Sequence, residues 1–327
     1  MAALPDHPPR LEILDLRHFQ ARDLAPLLDE ESRVWRQRLR WDFGPSRDLV
    51  CQYLDMRSLD GYALLCGRAP IGYTYYVPED HKALIGDLYV AETYRTPEAQ
   101  QRLVRCAVES ARRAPGVRRI EAQLMMLESA ALETLFPAWE MSTFERNFML
   151  VEGIGALSRD QFGRVRDPDF SWQAWSEWLM EPAAHLIARC YQQHVDSRIN
   201  DQYQSVPGAR RFLHNITQYP GCGAFHRGAS LAALNRWSGE LCGISLGSLV
   251  APAVGHITQI CVTPHLQGRG IGSELLWRAI EAFRQAGCQS VTLTVTANNR
   301  GAGELYERVG FRTLRQFRAY VWEGFRP

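Results

Sequence analysis

The segment from Val254 to Gly272 constrains the fold of this chain more than any other. It opens with a β-branched, apolar run ending at Val262, and Thr263-Pro264 stops that run because proline cannot donate to a sheet ladder. A glycine-rich stretch follows, and Ser273 to Ala286 then has apolar residues at helical spacing. The pattern predicts a strand, a loop and a helix. Glycines let successive backbone N–H groups converge in front of a helix N-terminus, so the turn is predicted to bind phosphate.

Two familiar phosphate-binding patterns do not fit this loop. A dinucleotide-binding loop has the spacing G-x-G-x-x-G, but after Gly268 and Gly270 the third position is Ser273, and no acidic residue closes the following strand. The mononucleotide P-loop needs a Lys-Ser/Thr pair after its last glycine, whereas Ser273-Glu274 stands here. A dinucleotide-dependent oxidoreductase is therefore disfavoured.

The loop instead has the pattern Gln-x-x-Gly-x-Gly, from Gln267 to Gly272. After a strand-like segment, Ser290 to Thr296, comes a second motif with the spacing Asn299-x-x-Ala302-x-x-Leu305-Tyr306-x-x-x-Gly310-Phe311. The two motifs, in this order, resemble those of the GCN5-related N-acetyltransferases (GNAT), whose loop amides hold the pyrophosphate of acetyl-coenzyme A. The resemblance covers roughly the last third of the chain.

The resemblance implies a site built around acetyl-coenzyme A as acyl donor, with no metal. The pantetheine arm would lie between two splayed strands, Gly255 to Val262 and Ser290 to Thr296. Tyr306 would protonate the departing thiolate. The residues that the family motifs imply for coenzyme binding are Ile260, Cys261, Val262, Gln267, Gly268, Arg269, Gly270, Ile271, Gly272, Ser273 and Asn299.

The general base is less well defined. His256 stands six residues before Val262, at a position where some family members carry a glutamate and others, with small aromatic amine substrates, a histidine. An imidazole titrates near neutrality and could take the amine proton directly or through water. The alternative is a histidine whose hydrogen bonds are satisfied within the strand. Cys261 could serve a ping-pong route, but it has no identifiable base partner, so we expect a small residue beside the pantetheine arm.

Composition limits the partners. The 327 residues carry a formal net charge of +1, which gives no general attraction to nucleic acid or to anionic membrane. The eight cysteines form no Cys-x-x-Cys pair and no zinc-finger spacing, and several lie in apolar patterns. The first ten residues lack the apolar core of a signal peptide. These features predict a cytoplasmic protein with reduced thiols.

The N-terminal half reads as a second copy of the same arrangement. Its order is strand, two helices (the second, Ser46 to Leu54, capped by its serine), three strands, a helix and a strand. Where the phosphate loop should be, residues 91–99 contain no glycine, Pro97 removes a donor and Glu98 adds a negative charge. We therefore predict that this copy does not bind coenzyme A.

The predicted fold class is α/β (α+β), with two tandem acetyltransferase-type domains, each a mixed, mostly antiparallel sheet flanked by helices. A polar, glycine-containing stretch from Gly153 to Pro168 is the expected join. It places a degenerate domain at residues 1–157 and the acetyl-coenzyme A-binding domain at 158–327. The two copies are expected to form a pseudo-dimer within one chain, itself a monomer or a dimer.

On the acceptor side we expect a helix from Pro182 to Ile199 and another from Pro207 to Tyr219. Polar residues there line the acceptor pocket or cap a helix; they are His194, Asp196, Asp201 and Tyr203. Two functions remain open. The chain is an N-acyltransferase acting on a small-molecule or protein amine, or it is a non-catalytic acyl-coenzyme A sensor or interaction module that keeps the loop but lacks a competent base.

Overall fold

The computed structural model describes residues 11–128, 132, 135–136, 140–163, 165 and 169–325. These residues form two compact units. Unit 1 comprises Met1–Trp35, Ser46–Phe144 and Phe317–Pro327, and unit 2 comprises Arg36–Pro45 and Glu145–Gln316. The units follow spatial contacts, whereas the boundary at residues 157 and 158 separates two sequence copies and stays a prediction; residues 164 and 166–168 of the expected join lie outside the described residues.

The elements are numbered here in chain order. The strands are β1 Leu11–Asp15, β2 Gly61–Cys66, β3 Ala69–Glu79, β4 Lys82–Val90, β5 Arg119–Gln123, β6 Met141–Glu152, β7 Phe170–Ala174, β8 Ala224–Phe225, β9 Leu231–Asn235, β10 Leu241–Ala251, β11 Val254–Val262, β12 Ser290–Thr296 and β13 Arg312–Trp322. The α-helices are α1 Ala21–Leu39, α2 Gly44–Asp55, α3 Pro97–Arg113, α4 Met180–Tyr191, α5 Asp196–Ile199, α6 Val206–Gln218, α7 Ile271–Gln285 and α8 Arg300–Val309.

Two helix predictions needed correction. Helix α2 begins at Gly44, whose N–H donates to Asp42 Oδ1 at 3.1 Å, so Ser46 lies in the first turn and the predicted serine cap is wrong. The helix predicted from Pro182 to Ile199 is two helices, α4 and α5. The Asp196 backbone N–H donates to His194 Nδ1 at 3.2 Å, and the Ser197 hydroxyl donates to the His194 backbone carbonyl at 2.7 Å. These bonds start a new helix and turn the chain at His194.

The sheet of unit 1 runs β1-β2-β3-β4-β5, followed by the last residues of β13, Ala319 to Trp322. Neighbouring strands are antiparallel except β4 and β5, which are parallel. Helix α3 starts at the Thr96 cap with Pro97 in its first turn, and its apolar face (Leu103, Val104, Ala107, Val108 and Ala111) is fully buried against the strands.

The end of β4 in unit 1 is occupied by one side chain from α1, that of Glu30. Glu30 Oε1 accepts both the Tyr89 hydroxyl and the Glu92 backbone N–H at 2.8 Å. The Thr96 side chain takes the Ala99 N–H at the start of α3. Two backbone donors of this segment, the Glu92 and Ala99 N–H groups, are therefore already bonded, and Glu30 adds a carboxylate. This supports the prediction that the first copy does not bind coenzyme A.

A buried acidic pair lies deeper in unit 1. Glu31 is fully buried, accepts the Tyr73 hydroxyl at 2.7 Å and the Trp35 indole N–H at 3.2 Å, and interacts with Asp87. Burial, with the neighbouring Asp87 charge, raises the pKa of Glu31 well above its usual range; burial also raises the pKa of Asp87, to about 6. The folded unit therefore holds a proton that the unfolded chain releases above pH of about 4.

Because of the Glu31–Asp87 pair, we expect unit 1 to lose stability as the pH rises. Because its folded pKa values are raised, its contribution is present at low pH and is lost as the pH rises from about 4 through 6 and above. We expect Glu31→Gln, which cannot ionise, to flatten this dependence and to unfold at higher urea than the parent at pH 8. Urea unfolding at pH 5 and 8 measures it. The exposed Glu109→Gln in α3 is the control, and an unchanged pH dependence in Glu31→Gln would contradict the assignment.

The sheet of unit 2 runs β6-β12-β11-β10-β9-β7, with β8 beside β10. Strands β11 and β12 are parallel, and the other pairs are antiparallel. One buried cluster joins α7 and α8 to the sheet, and another joins α4 and α6 to it. Both units thus have a mixed, mostly antiparallel sheet flanked by helices, as predicted. In the part of the chain that the structure describes, no helix combines the length and apolarity that a membrane crossing requires.

Candidate functional site

A cavity of about 740 Å³ lies in unit 2. The coenzyme-binding residues predicted from sequence that line it are Ile260, Cys261, Val262, Gln267, Gly268, Gly270, Ile271, Gly272, Ser273 and Asn299. Tyr306 lines it as well. Arg269 and His256 are not among its lining residues; Arg269 is an exposed residue of the loop. The fold therefore gathers both sequence motifs around one cavity.

The cavity opens where β11 and β12 separate. These strands pair in parallel from Val254–Ser290 to Ile257–Leu293. At the next residue β11 has an irregularity, because Ile257 and Gln259 face consecutive residues of β10 and Thr258 is the extra residue between them. A bulge bends the strand that carries it, and this one lies where the two strands diverge.

Beyond the bulge, β11 offers one backbone edge to the cavity. Ile260, Cys261 and Val262 pair on their other edge with β10, opposite Ser245, Ile244 and Gly243. All three line the cavity. In an antiparallel pair, alternate N–H and C=O groups point away from the partner strand. An extended amide-containing arm could therefore pair with β11 as an added strand.

The glycine-rich loop leads from β11 to the start of α7. Gly268 and Gly270 have φ of +77° and +88°, a left-handed conformation that suits glycine. Gly270 is the N-cap of α7 and, having no side chain, leaves the first-turn N–H groups uncapped. Gln267 Nε2 donates to the Val262 carbonyl at 3.2 Å and ties the loop to the strand. Donors grouped at a helix N-terminus fit a pyrophosphate.

One carboxylate near this loop is neutralised. Glu274 lies in the first turn of α7, where its charge would repel a phosphate. It is buried and accepts hydrogen bonds from Arg159 and, at 2.7 Å, from Arg278. The paired charge therefore leaves the helix N-terminus electropositive.

The second motif places two polar side chains on the cavity wall from α8. Asn299 caps the helix, since its Oδ1 accepts the Ala302 N–H at 3.4 Å, and its Nδ2 lies 3.2 Å from His194 Nε2. Tyr306 is only 5% exposed. Burial, with the charge of Asp196 as a smaller cause, raises the pKa of Tyr306 above its usual value near 10. The phenol is therefore protonated throughout the neutral range and can donate a proton.

A polar cluster beside Asn299 includes a residue that the sequence did not reveal. The Asp196 carboxylate accepts the Thr296 hydroxyl, lies 3.4 Å from Arg146 Nη1 and has His194 Nδ1 3.8 Å away. His194, Asp196 and Tyr203 line the cavity, as the acceptor-side prediction allowed, whereas Asp201 does not. Arg146 lies on β6, in a segment for which no strand was predicted; the apolar residues of Phe148 to Val151 were the available signal.

A second network lies beside it. Gln259 Nε2 donates to the Tyr191 hydroxyl at 2.8 Å, and the Tyr203 hydroxyl donates to Gln259 Oε1 at 3.4 Å. Burial raises the pKa of both tyrosines, so both hydroxyls stay protonated. This part of the cavity is therefore lined by neutral hydroxyl and amide groups next to the Arg146–Asp196 ion pair.

His256 lies away from the cavity lining. Its side chain is 6% exposed, its Nδ1 lies 2.9 Å from Thr292 Oγ1, and Trp41 and Phe148 pack against the ring at centroid distances of 5.0 and 6.1 Å. Burial lowers the pKa of His256 to about 3. The ring is neutral at physiological pH and its contacts are those of a core residue. The predicted role as general base would need access to a cavity that this side chain does not line.

His256 gives unit 2 a predicted sensitivity to acid. The folded ring resists protonation, whereas the unfolded chain takes up a proton below pH 6.5, so the contribution is present above 6.5 and is lost as the pH falls toward about 3. We expect His256→Gln to lose less stability than the parent between pH 7 and 5, measured by urea unfolding, with the exposed His214→Gln as control. A transfer rate abolished at unchanged acetyl-coenzyme A affinity would instead favour the catalytic role.

Part of unit 2 matches a known protein family. Residues 172–311 match the family described as the acetyltransferase (GNAT) family. The chain is 35% identical to an N-alpha-acetyltransferase, MAK3, of Arabidopsis thaliana over 130 residues. This alignment covers 40% of this chain and 63% of that protein. The chain thus spans less than two thirds of the length of this relative, and smaller shares of the others.

Solved structures resemble nearly the whole chain. A GCN5-related N-acetyltransferase from Sphaerobacter thermophilus aligns with a TM-score of 0.66 at 16% identity, covering 98% of both chains. A tandem GNAT protein from the clavulanic acid biosynthesis pathway aligns with a TM-score of 0.63 at 16% identity, covering 97% of this chain and all of that one. At this identity the likeness concerns the fold, and it confirms the predicted tandem acetyltransferase-type architecture.

Proposed function

We propose that this chain, whose residues 172–311 match the acetyltransferase (GNAT) family, is an N-acetyltransferase that moves an acetyl group from acetyl-coenzyme A to an amine. One observation carries the proposal. A single cavity is lined by the edge of β11, the glycine loop at the start of α7, and Tyr306. These are the parts that thioester aminolysis needs: positioning, anion binding and an acid.

The donor would be held at three places. The first-turn N–H groups from Ile271 to Ser273 would bind the pyrophosphate. The free edge of Ile260–Val262 would pair with the amides of the pantetheine arm. Asn299, fixed by its capping bond, would contact the arm from the β12 side. Acetyl-coenzyme A supplies the activated thioester, and these contacts fix its carbonyl beside the acceptor side of the cavity.

Tyr306 would act as general acid. Its raised pKa keeps the proton on the phenol until the thiolate of the leaving group develops, and donation to sulfur then prevents return of the thiolate. We do not assign the role of general base to His256, because its ring packs against Trp41 and Phe148 and does not line the cavity. Cys261 is proposed to pack beside the arm, and a transfer-inactive Cys261→Ala protein that still binds the coenzyme would contradict this.

The alternative is an acyl-coenzyme A sensor that binds without turnover. The buried, neutral position of His256 favours it, and the placement of Tyr306 on the cavity wall favours the enzyme. The acceptor is proposed to be an amine of a small molecule or a protein. Peptide N-termini belong among the candidates because the Arabidopsis relative is named an N-alpha-acetyltransferase. The cytoplasmic location and the pseudo-dimer stay predictions.

Two measurements test the proposal. Isothermal titration with acetyl-coenzyme A is expected to give one site per chain, since unit 1 lacks the glycine loop. Release of free coenzyme A is then followed with a panel of small amines and peptides that differ in their N-terminal residue. Binding with no release above background across the panel would support the sensor, and no binding by the folded protein would contradict both readings.

A further inference from the structure

Two cysteine thiols meet in the wall of the cavity, and the proposed transfer uses neither side chain. Cys190 is the penultimate residue of α4, and Cys261 lies on β11. Both line the cavity, Cys190 packs against the buried cluster that contains Cys261, and each thiol shifts the pKa of the other. Both are free thiols. The two thiols are therefore neighbours on a helix and a strand, and a disulfide between them requires their sulfur atoms to approach to about 2.05 Å.

Cys190 is the more reactive partner. Its hydrogen bond with Cys261 lowers the pKa of the Cys190 thiol, and the Arg189 guanidinium lowers it further. The other cysteines with a shifted pKa are raised by burial, namely Cys51, Cys106, Cys222, Cys242 and Cys288. Because the thiolate is the species that attacks oxidants, Cys190 is the thiol that a small molecule entering the cavity would oxidise first.

We propose that Cys190 and Cys261 form a reversible modification site, which hydrogen peroxide or a small organic hydroperoxide converts into a disulfide that slows the transfer reaction. The activity part of this inference rests on the proposed function. The modification itself does not, since it depends only on the two thiols and on access through the cavity.

The chemistry balances in two steps. The Cys190 thiolate attacks one oxygen of hydrogen peroxide, the O–O bond breaks, and the products are a sulfenic acid on Cys190 and, after protonation, one water. The Cys261 sulfur then attacks the sulfenic sulfur, the S–O bond breaks, and the Cys261 proton leaves with the hydroxyl as a second water. Two thiols are oxidised and one peroxide is reduced. Dithiothreitol reverses the change by thiol–disulfide exchange.

The disulfide would alter the acceptor side of the cavity. A covalent S–S bond of about 2.05 Å is shorter than any contact between two thiols, so it draws the end of α4 toward β11. The next residue, Tyr191, is bonded to Gln259 at 2.8 Å, and His194 follows three residues later. A shift of this wall displaces groups that would position the amine, and misplacement of about 1 Å is enough to cost much of a transfer rate.

The test uses the full chain, reduced and then treated with hydrogen peroxide. Non-reducing peptide mapping is expected to find a peptide pair joined through Cys190 and Cys261, and the transfer rate is expected to fall about tenfold or more and to recover with dithiothreitol. Cys190→Ser should give no such pair, and its own rate should resist peroxide. Cys106→Ser, on α3 of unit 1, is the matched control and should respond as the parent does.

Either of two results would overturn the inference: the folded parent shows no Cys190–Cys261 pair after peroxide, or it shows the pair while its transfer rate, normalised to reduced protein, stays unchanged. A reduced protein that acetylates no amine contradicts the proposed function instead. In that case the peptide map still decides whether the disulfide forms, and acetyl-coenzyme A affinity before and after peroxide replaces the rate.

Discussion

Gly270→Glu is expected to raise the dissociation constant for acetyl-coenzyme A by about 100-fold or more, measured by isothermal titration. Gly270 is the N-cap of α7, and its φ of +88° is one that side-chain-bearing residues rarely adopt. A glutamate there would place a carboxylate among the N–H donors proposed for the pyrophosphate, and like charges at a helix N-terminus repel. Backbone strain would further distort the loop.

A control variant distinguishes the effect of a negative charge at the glycine-rich loop from the effect of backbone strain. Gly239 lies in the turn between β9 and β10, has a φ of +70° and has open space around its Cβ position. Gly239→Glu therefore introduces the same residue in a similar backbone conformation away from the cavity. We expect it to bind acetyl-coenzyme A as the parent does. If Gly270→Glu bound with parental affinity, the phosphate site would have to lie elsewhere.

Tyr306→Phe is expected to lower kcat by about 100-fold or more at nearly unchanged acetyl-coenzyme A affinity, because it removes a proton donor and little else. The ring stays in the buried cluster with Val309 and Phe311, so the variant should fold and melt like the parent. Rates at saturating donor and titration calorimetry measure the two effects. The same change at the exposed Tyr219, on the surface of unit 2, is the control.

The pH profile gives a second readout for this residue. Burial raises the pKa of Tyr306, so the acid form persists and the parent should show no alkaline loss of kcat from this group up to pH of about 10. Tyr306→Phe with parental kcat would remove the acid role from this residue. A rise in the dissociation constant without a change in kcat would make Tyr306 a binding residue.

Local pattern predicted the parts of the site that are contiguous in sequence. The strand, loop and helix from Val254 to Gln285 form as expected because β-branched residues, glycines and an apolar helical stripe each favour one backbone conformation. The second motif likewise brings Asn299 and Tyr306 to the cavity wall, at the start of α8 and within it. These residues share the cavity because β11 and β12 pair only at their start and then diverge.

Tertiary packing decided what local pattern could not. His256 stands at the family's base position, yet the aromatic rings of Trp41 and Phe148 enclose it, and a burial that lowers its pKa to about 3 is not visible in the residues beside it. Arg146 reaches the cavity from β6, more than a hundred residues before the glycine loop. The Cys190–Cys261 contact joins a helix to a strand in the same way.

The sequence by itself therefore determined most of the element order, the duplicated architecture and the glycine-rich loop before α7, since spacing and backbone preference are local properties. Only the tertiary structure decided which side chains face the cavity, because hydrogen bonding, desolvation and contact depend on segments far apart in the chain. For the same reason the sequence did not reveal the roles of Glu30 and Glu31 in unit 1. Glu30 accepts a backbone N–H just after β4, and Glu31 lies in the core, where it accepts the Tyr73 hydroxyl.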